Sequence, residues 1–255
     1  MKLRFNCMQC FQENGHPLFE FHPVELNDAG LYTFTCNFGH ETTTVIQQQK
    51  FEVLFDLGAL ALIDGYPREA ITSIASSLER FYEFYIKVIC LKHKINIDNF
   101  KSSWKHVASQ SERQFGAYIF LYLIENKNKE PLVIDNEKPT LENVSKRHTK
   151  TWKEFRNAVV HKGYIPSTTE TLAYGNIVYS HLNELIKDLK NNCEKFISQA
   201  TFIHLSRVHN DENKLPISTM SIPTIISLTR GEDVVDTLEE ALKSLESYRE
   251  YTHYV

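Results

Sequence analysis

No run of apolar residues in this chain approaches the roughly 18 needed to cross a bilayer as a helix. The longest candidate, Tyr118 to Ile124, is bounded by Arg113 and Glu125 and reads as a core helix. The first seven residues, Met-Lys-Leu-Arg-Phe-Asn-Cys, lack the apolar stretch of a secretory leader. Cysteine is scarce: the chain has 5, an odd number, and without an export signal that argues against a disulfide framework. A cytosolic protein is therefore expected. A phosphate-binding glycine loop, a dinucleotide fingerprint, a G-x-S-x-G elbow and an H-E-x-x-H pair are all missing, which removes the commonest signatures of nucleotide, ester and zinc-peptidase chemistry. Positive charge is not in surplus either: 28 Lys and Arg stand against 32 Asp and Glu, a net charge of -4. Sequence-independent duplex binding depends on many cation–phosphate contacts, so it is disfavoured as the main role. A local basic cleft, or one assembled between subunits, stays compatible with that balance. Internal repeats and low-complexity tracts are also lacking.

What is present is an ordinary globular composition, 42% hydrophobic and 24% charged over 255 residues, enough for one or two domains with a real core. The pattern changes once near the start. Residues 1–46 alternate in short segments, 18–22 and 31–35, around the turn-like Asn27-Asp28-Ala29-Gly30, and Thr42 to Ile46 has strong strand propensity. This is a small β-rich unit with little core. From Gln47 the period becomes helical: a first helix ending near Gly65, a second opening at Pro67 and running to about Lys94, and a third over 112–126. A loop to Pro139, a fourth helix over 141–161 stopped by Gly163, and a fifth opening at 168–170 and ending near Ala200 follow. Beyond that, 203–208 and 224–228 are expected as strands and 232–248 as an amphipathic helix. The expected class is mainly α: a β segment (1–46), a helical bundle (47–200) and a C-terminal α/β extension (201–255) serving interaction or dimerisation.

Two pairs of metal-ligand type lie in the first segment. Cys7-Met8-Gln9-Cys10 is a C-x2-C pair, and Cys36-Asn37-Phe38-Gly39-His40 is a C-x3-H pair. Each short loop offers two ligands from one knuckle, and thiolate with imidazole suits tetrahedral zinc. Four ligands leave no open position, so such a zinc is structural, and in so small a segment it supplies the folding energy. Reduced cysteines in a hairpin, or His16 or His22 in place of His40, are alternatives at this point. The segment resembles a zinc ribbon, a fold that binds nucleic acid in some proteins and protein in others. Cys90 and Cys193 lie in helical patterns and read as ordinary thiols. His93, His106, His181, His204, His209 and His253 show no ligand spacing to one another.

The string Arg156-Asn157-Ala158-Val159-Val160-His161, followed by Lys162-Gly163, carries the second constellation. Imidazole moves protons near neutral pH and guanidinium grips phosphate, the two functions that metal-free RNA cleavage needs. Asn157 can donate to a phosphate oxygen or hold the imidazole in one tautomer. At about 100° per residue Asn157 and His161 share a helix face, whereas Arg156 and His161 are about 140° apart. They converge only where the helix ends, or across a two-fold axis between two copies. The string resembles the R-polar-x-x-x-H motif of the HEPN superfamily, and the helix over 70–83, with Leu78-Glu79, is similar to the family's small-residue helix. The likeness spans about residues 50–200.

The resemblance implies a bundle of four to five helices, a homodimer with a composite active site, and RNA as the partner. His161 is then general acid or base, Arg156 the phosphate ligand, Asn157 a positioning group, and Glu79 a support for the Arg or His. Lys153 and Lys162 would guide the RNA and Tyr164 would stack on a base, the plain alternative being a solvated helix face. Lys146, Arg147, His148 and Lys150 extend the basic stretch, while Trp152 is expected in the core. By the same resemblance the protein is a toxin or effector in microbial antiviral defence, of the abortive-infection kind, with an antitoxin or activator protein. The rival expectation is a non-catalytic zinc-containing module that binds protein or nucleic acid.

Overall fold

The computed structural model describes residues 2–16, 18, 20–127, 129–139, 151–206, 217–229 and 237–247. The chain is mainly α, with eight helices and five short strands among the described residues. It forms two compact units, one of residues 1–49, 201–223 and 243–255, the other of residues 50–200 and 224–242.

In the first unit β1 (Lys2–Phe5) pairs antiparallel with β2 (His22–Glu25), Lys2 opposite Glu25 and Phe5 opposite His22. Between them lies the short helix α1 (Met8–Asn14), closed by Gly15 at φ +72°. A hairpin of β3 (Leu31–Thr35) and β4 (Glu41–Ile46) follows, with Leu31 opposite Val45 and Thr35 opposite Glu41. The sheet is completed from far along the chain by β5 (Ile217–Met220), parallel to β4 with Thr43 opposite Ile217. Hydroxyls tie the strands where threonine faces threonine or serine: Thr33 to Thr43 at 3.0 Å, and Thr44 to Ser218 at 2.8 Å. Past the strands, the Gln48 amide donates to Ser221 Oγ and accepts from the Ile222 amide, both at 3.0 Å. Leu3, Phe5, Tyr32 and Val45 form the apolar centre, Phe5 against Tyr32 at 4.9 Å between rings.

The second unit is the helical bundle: α2 (Lys50–Ile63), α3 (Pro67–Lys92), α4 (Ile97–Trp104), α5 (Ser111–Glu125), α6 (Trp152–Lys162) and α7 (Thr168–Ser206), with α7 in this unit as far as Ala200. Gly65, at φ +77°, and Pro67 turn the chain between α2 and α3. The long α3 buries Ile71, Ile74, Leu78, Phe81, Tyr82, Tyr85 and Ile89 and packs on α2, α5 and α6. Helix α7 opens with a capping box, the Ser167 hydroxyl accepting from the Glu170 amide while the Glu170 carboxylate accepts from the Ser167 amide.

Several expectations change. Of the residues expected as an extension over 201–255, β5 completes the N-terminal sheet, and the described residues 224–229 and 237–242 group with the bundle. Residues 203–206 continue α7, a helix broken only at Cys193 (φ -141°, ψ 18°), and 207–208 lie outside the described residues. Residues 224–228 are not a strand. The Ile225 amide donates to Asp56 and the Leu228 amide to Glu52, each at 2.9 Å, so these N–H groups are used by carboxylates rather than by a ladder. That also accounts for two acids that are 0% and 2% exposed in α2. The final helix, α8, is described over Leu238–Ser247. The helix expected over 141–161 begins at Trp152, since Thr151 is extended (φ -140°, ψ 162°) and its hydroxyl caps the Glu154 amide at 3.2 Å. Residues 141–150, with Lys146, Arg147, His148 and Lys150, lie outside the described residues.

Candidate metal centre and the Arg156 cleft

The Sγ atoms of Cys7, Cys10 and Cys36 and a ring nitrogen of His40 all lie within 4.8 Å of one another. Local structure builds each half of the cluster. Cys7 is the N-cap of α1, its sulfur accepting from the Cys10 amide at 3.5 Å, which turns both thiols to one side. In the other half the Cys36 amide donates to the His40 carbonyl at 3.0 Å and the Gly39 amide to the Cys36 carbonyl at 2.9 Å. Gly39 sits at φ +83°, a conformation that side chains rarely adopt. The resulting edges are 3.7 Å from Cys10 to Cys36, and 3.8 and 3.2 Å from His40 Nδ1 to Cys7 and Cys10. A tetrahedral ion with metal–sulfur bonds near 2.3 Å and metal–nitrogen bonds near 2.0 Å predicts edges of about 3.8 and 3.5 Å. The donor set therefore fits a metal ion such as zinc.

The surroundings agree. The other imidazole nitrogen, Nε2, faces Glu13 at 3.3 Å, the carboxylate–histidine arrangement that orients metal-bound imidazole. Burial pushes the Cys7 thiol up, but bonds with the Thr42 hydroxyl, the Cys10 amide and His40 outweigh this and bring it down to about 6. Cys10 is pushed up to about 12 by burial and by its neighbours Cys7 and Cys36. Three crowded thiols cannot all ionise without a cation among them, which is what a divalent ion supplies. His16 is exposed and His22 stacks on Phe34 at 5.1 Å, so His40 is the fourth donor. Glu13 and Thr42 were not singled out by sequence; Glu13 stands one helical turn after Cys10, a spacing that could have suggested it.

The second constellation is divided between two faces of α6. Trp152, Phe155, Ala158 and Val159 are buried, with Phe155 and Trp152 set 5.8 and 5.9 Å from the Tyr174 ring. Arg156 lies at the edge of that stripe, and its Nη1 is 3.4 Å from Glu79 Oε1 of α3. The two line a cleft with Lys153, Asp135, Tyr82, Tyr174, Phe115 and Glu112. Its enclosed volume is about 30 Å³, room for a water and not for a base, so any larger ligand must lie over its mouth. Burial pushes the Asp135 carboxyl up, against the pull of Arg156 and Lys153. Burial likewise raises the hydroxyls of Tyr82 and Tyr174. Asp135, Tyr82 and Tyr174 escaped the sequence reading: a lone Asp in a loop and tyrosines at core spacing carry no motif.

His161 and Lys162 occupy the last, exposed turn of α6, and Asn157 is half-buried. The helix ends as the glycine predicts, with Gly163 at φ +73° and the Tyr164 amide donating to the Ala158 carbonyl at 3.0 Å. None of these three side chains lines the cleft that holds Arg156, Glu79 and Lys153. Tyr164 stands edge-on to Phe155, and its hydroxyl donates to Glu170 at 2.9 Å, bracing the turn between α6 and α7.

Compared with protein-family models, characterised proteins and solved structures, the chain matches none.

Proposed function

We propose that the chain is a metal-independent endoribonuclease of the HEPN type that cleaves RNA by attack of the 2′-hydroxyl, leaving a 2′,3′-cyclic phosphate and a 5′-hydroxyl. The observation that carries the reading is the 3.4 Å ion pair between Arg156 and Glu79, which joins the motif helix to the helix that the resemblance pairs with it. Glu79 aims the guanidinium towards the mouth of the cleft, where Arg156 and Lys153 meet the scissile phosphate. His161 moves the proton, and Asn157, one turn earlier on the same face, orients the imidazole or the phosphate.

Within one chain Arg156 and His161 lie on different faces of α6, so the reading requires a homodimer in which two copies build a shared site. The cysteine–histidine centre holds zinc in a structural role. An effector of microbial antiviral defence, restrained or triggered by another protein, is the setting this activity fits.

The test is cleavage of an end-labelled single-stranded RNA by the purified chain. Arg156→Ala and His161→Ala should each lower the rate by about 100-fold or more, and products should carry the cyclic phosphate. Cleavage that survives both substitutions ends the reading. A second reading, a non-catalytic zinc-containing interaction module, is favoured by the buried Cys3His centre. It predicts partner binding that is lost on Cys36→Ser and unchanged on His161→Ala.

A further inference from the structure

We propose that the outer face of the metal finger is a docking surface for a basic, arginine-containing segment of another protein. Its anchor is Phe38, at the tip of the knuckle. The ring is 61% exposed, and Phe21 nearby is 43% exposed. Aromatic rings are enriched at the centres of protein interfaces, and a backbone already held in place lowers the cost of docking them. Backbone bonds close this loop: Phe38 lies between Cys36, whose amide donates to the His40 carbonyl at 3.0 Å, and Gly39, whose amide donates to the Cys36 carbonyl at 2.9 Å. The Asn37 amide donates to Glu20 at 3.3 Å, which brings the Glu20–Phe21 segment beside the knuckle.

Charge selects the partner. Glu20 stands beside Asn37, Glu13 beside His40 at 3.3 Å, and Glu41 directly follows His40, opposite Thr35 in the hairpin. Over residues 2–49 there are five acidic side chains and two basic ones, Lys2 and Arg4, both on β1. Zinc held by three thiolates leaves the centre itself at about one negative charge. Such a face repels the phosphate backbone of RNA, which needs cations at each contact. It attracts guanidinium, which lies flat on an aromatic ring and offers paired donors to a carboxylate. The exposed Phe38 ring, on a knuckle whose Asn37 bonds Glu20 and whose His40 meets Glu13 and precedes Glu41, offers both kinds of contact to arginine. The surface stands independently of the ribonuclease reading and uses none of its residues.

The experiment measures fluorescence anisotropy of three labelled probes with the full chain in its metal-bound form: an Arg-Gly repeat peptide, the same repeat with Glu for Arg, and single-stranded oligo-uridine. The arginine peptide should bind, more weakly as salt rises, with Phe38→Ala reducing affinity about tenfold. The double variant Glu20→Gln, Glu41→Gln should weaken it as well, and Phe38→Trp, a better cation–π face, should keep or raise it, which a misfolded finger could not do. RNA binding should not respond to Phe38→Ala. The proposal is overturned if the arginine peptide does not bind, if Phe38→Ala and the double Gln variant leave its affinity unchanged, if Phe38→Trp abolishes binding, or if Phe38→Ala removes RNA binding instead.

Discussion

His181 is a buried base in the bundle, 6% exposed on α7, its Nε2 3.4 Å from the Tyr82 hydroxyl. Burial lowers its pKa from 6.5 to about 4, so the folded chain keeps the imidazole neutral where the unfolded chain protonates it. Between those two values the unfolded state binds more protons, and stability falls as pH drops through that window. The upper bound on the loss is about 3 kcal/mol. Melting temperatures of the native chain and of His181→Leu, measured from pH 7.5 down to 4.5, should converge as the pH falls. Parallel curves would show that His181 does not set the slope. At the same scale, the metal centre was legible because its four donors sit as two close pairs in sequence. The contact between Arg156 and Glu79 was anticipated only through a resemblance. The separation of Arg156 from His161 follows from 100° per residue, and the structure realises it as two faces of α6. Asp135 was not legible: a loop acquires its burial from helices that pack around it.

Among the described helices α2 and α3 pack against each other most extensively, and Gly58 permits their close approach. A Cβ there would stand 2.6 Å from Ile74 Cγ1, 3.0 Å from the Ala70 carbonyl oxygen and 3.1 Å from the Ile74 amide nitrogen. Alanine gains about 1 kcal/mol of helix propensity over glycine. The clash includes backbone atoms that no rotamer change relieves, and overpacking of this kind costs about 1–3 kcal/mol. The net effect of Gly58→Ala should be a loss of up to about 2 kcal/mol, read as a lower urea midpoint at unchanged slope; a higher midpoint would refute the close approach. The long helices were readable because their buried residues recur every three to four positions over many turns. Two short helices were not. Helix α1 has 7 residues and owes its start to Cys7 as cap, and α4 has 8 residues and buries none of them, so it shows no stripe. Strand β5 was missed for another reason: its partner β4 precedes it by about 170 residues, and no local pattern encodes so distant a pairing.

For the whole molecule, the two units differ in what holds them. The bundle buries a continuous set of aromatic and aliphatic side chains along α2, α3 and α7. Leu3 and Phe5 of β1 pack into the centre beside Tyr32, whereas the buried cluster around α1 and the 36–40 knuckle is, among the described residues, Cys7, Cys10 and Cys36 with Leu18 and Phe34 packed against them. Three thiols are a poor substitute for aliphatic volume, and their mutual repulsion when ionised opposes the cluster. On the zinc reading proposed above, metal binding supplies most of the free energy that orders α1 and the knuckle. The sheet of β3, β4 and β5 has its own support in Tyr32, Val45 and Ile46, all buried, and in the threonine ladder. Removal of the metal should act on the finger alone. Under a strong chelator, amide hydrogen exchange should accelerate over residues 7–15 and 36–40 and stay slow in α2, α3 and α7, and added zinc should restore protection. Cys36→Ser should reproduce the chelated pattern without chelator. Unchanged exchange at the knuckle would remove the ion from the folding of the finger, and loss of protection in α3 would show that the bundle depends on it.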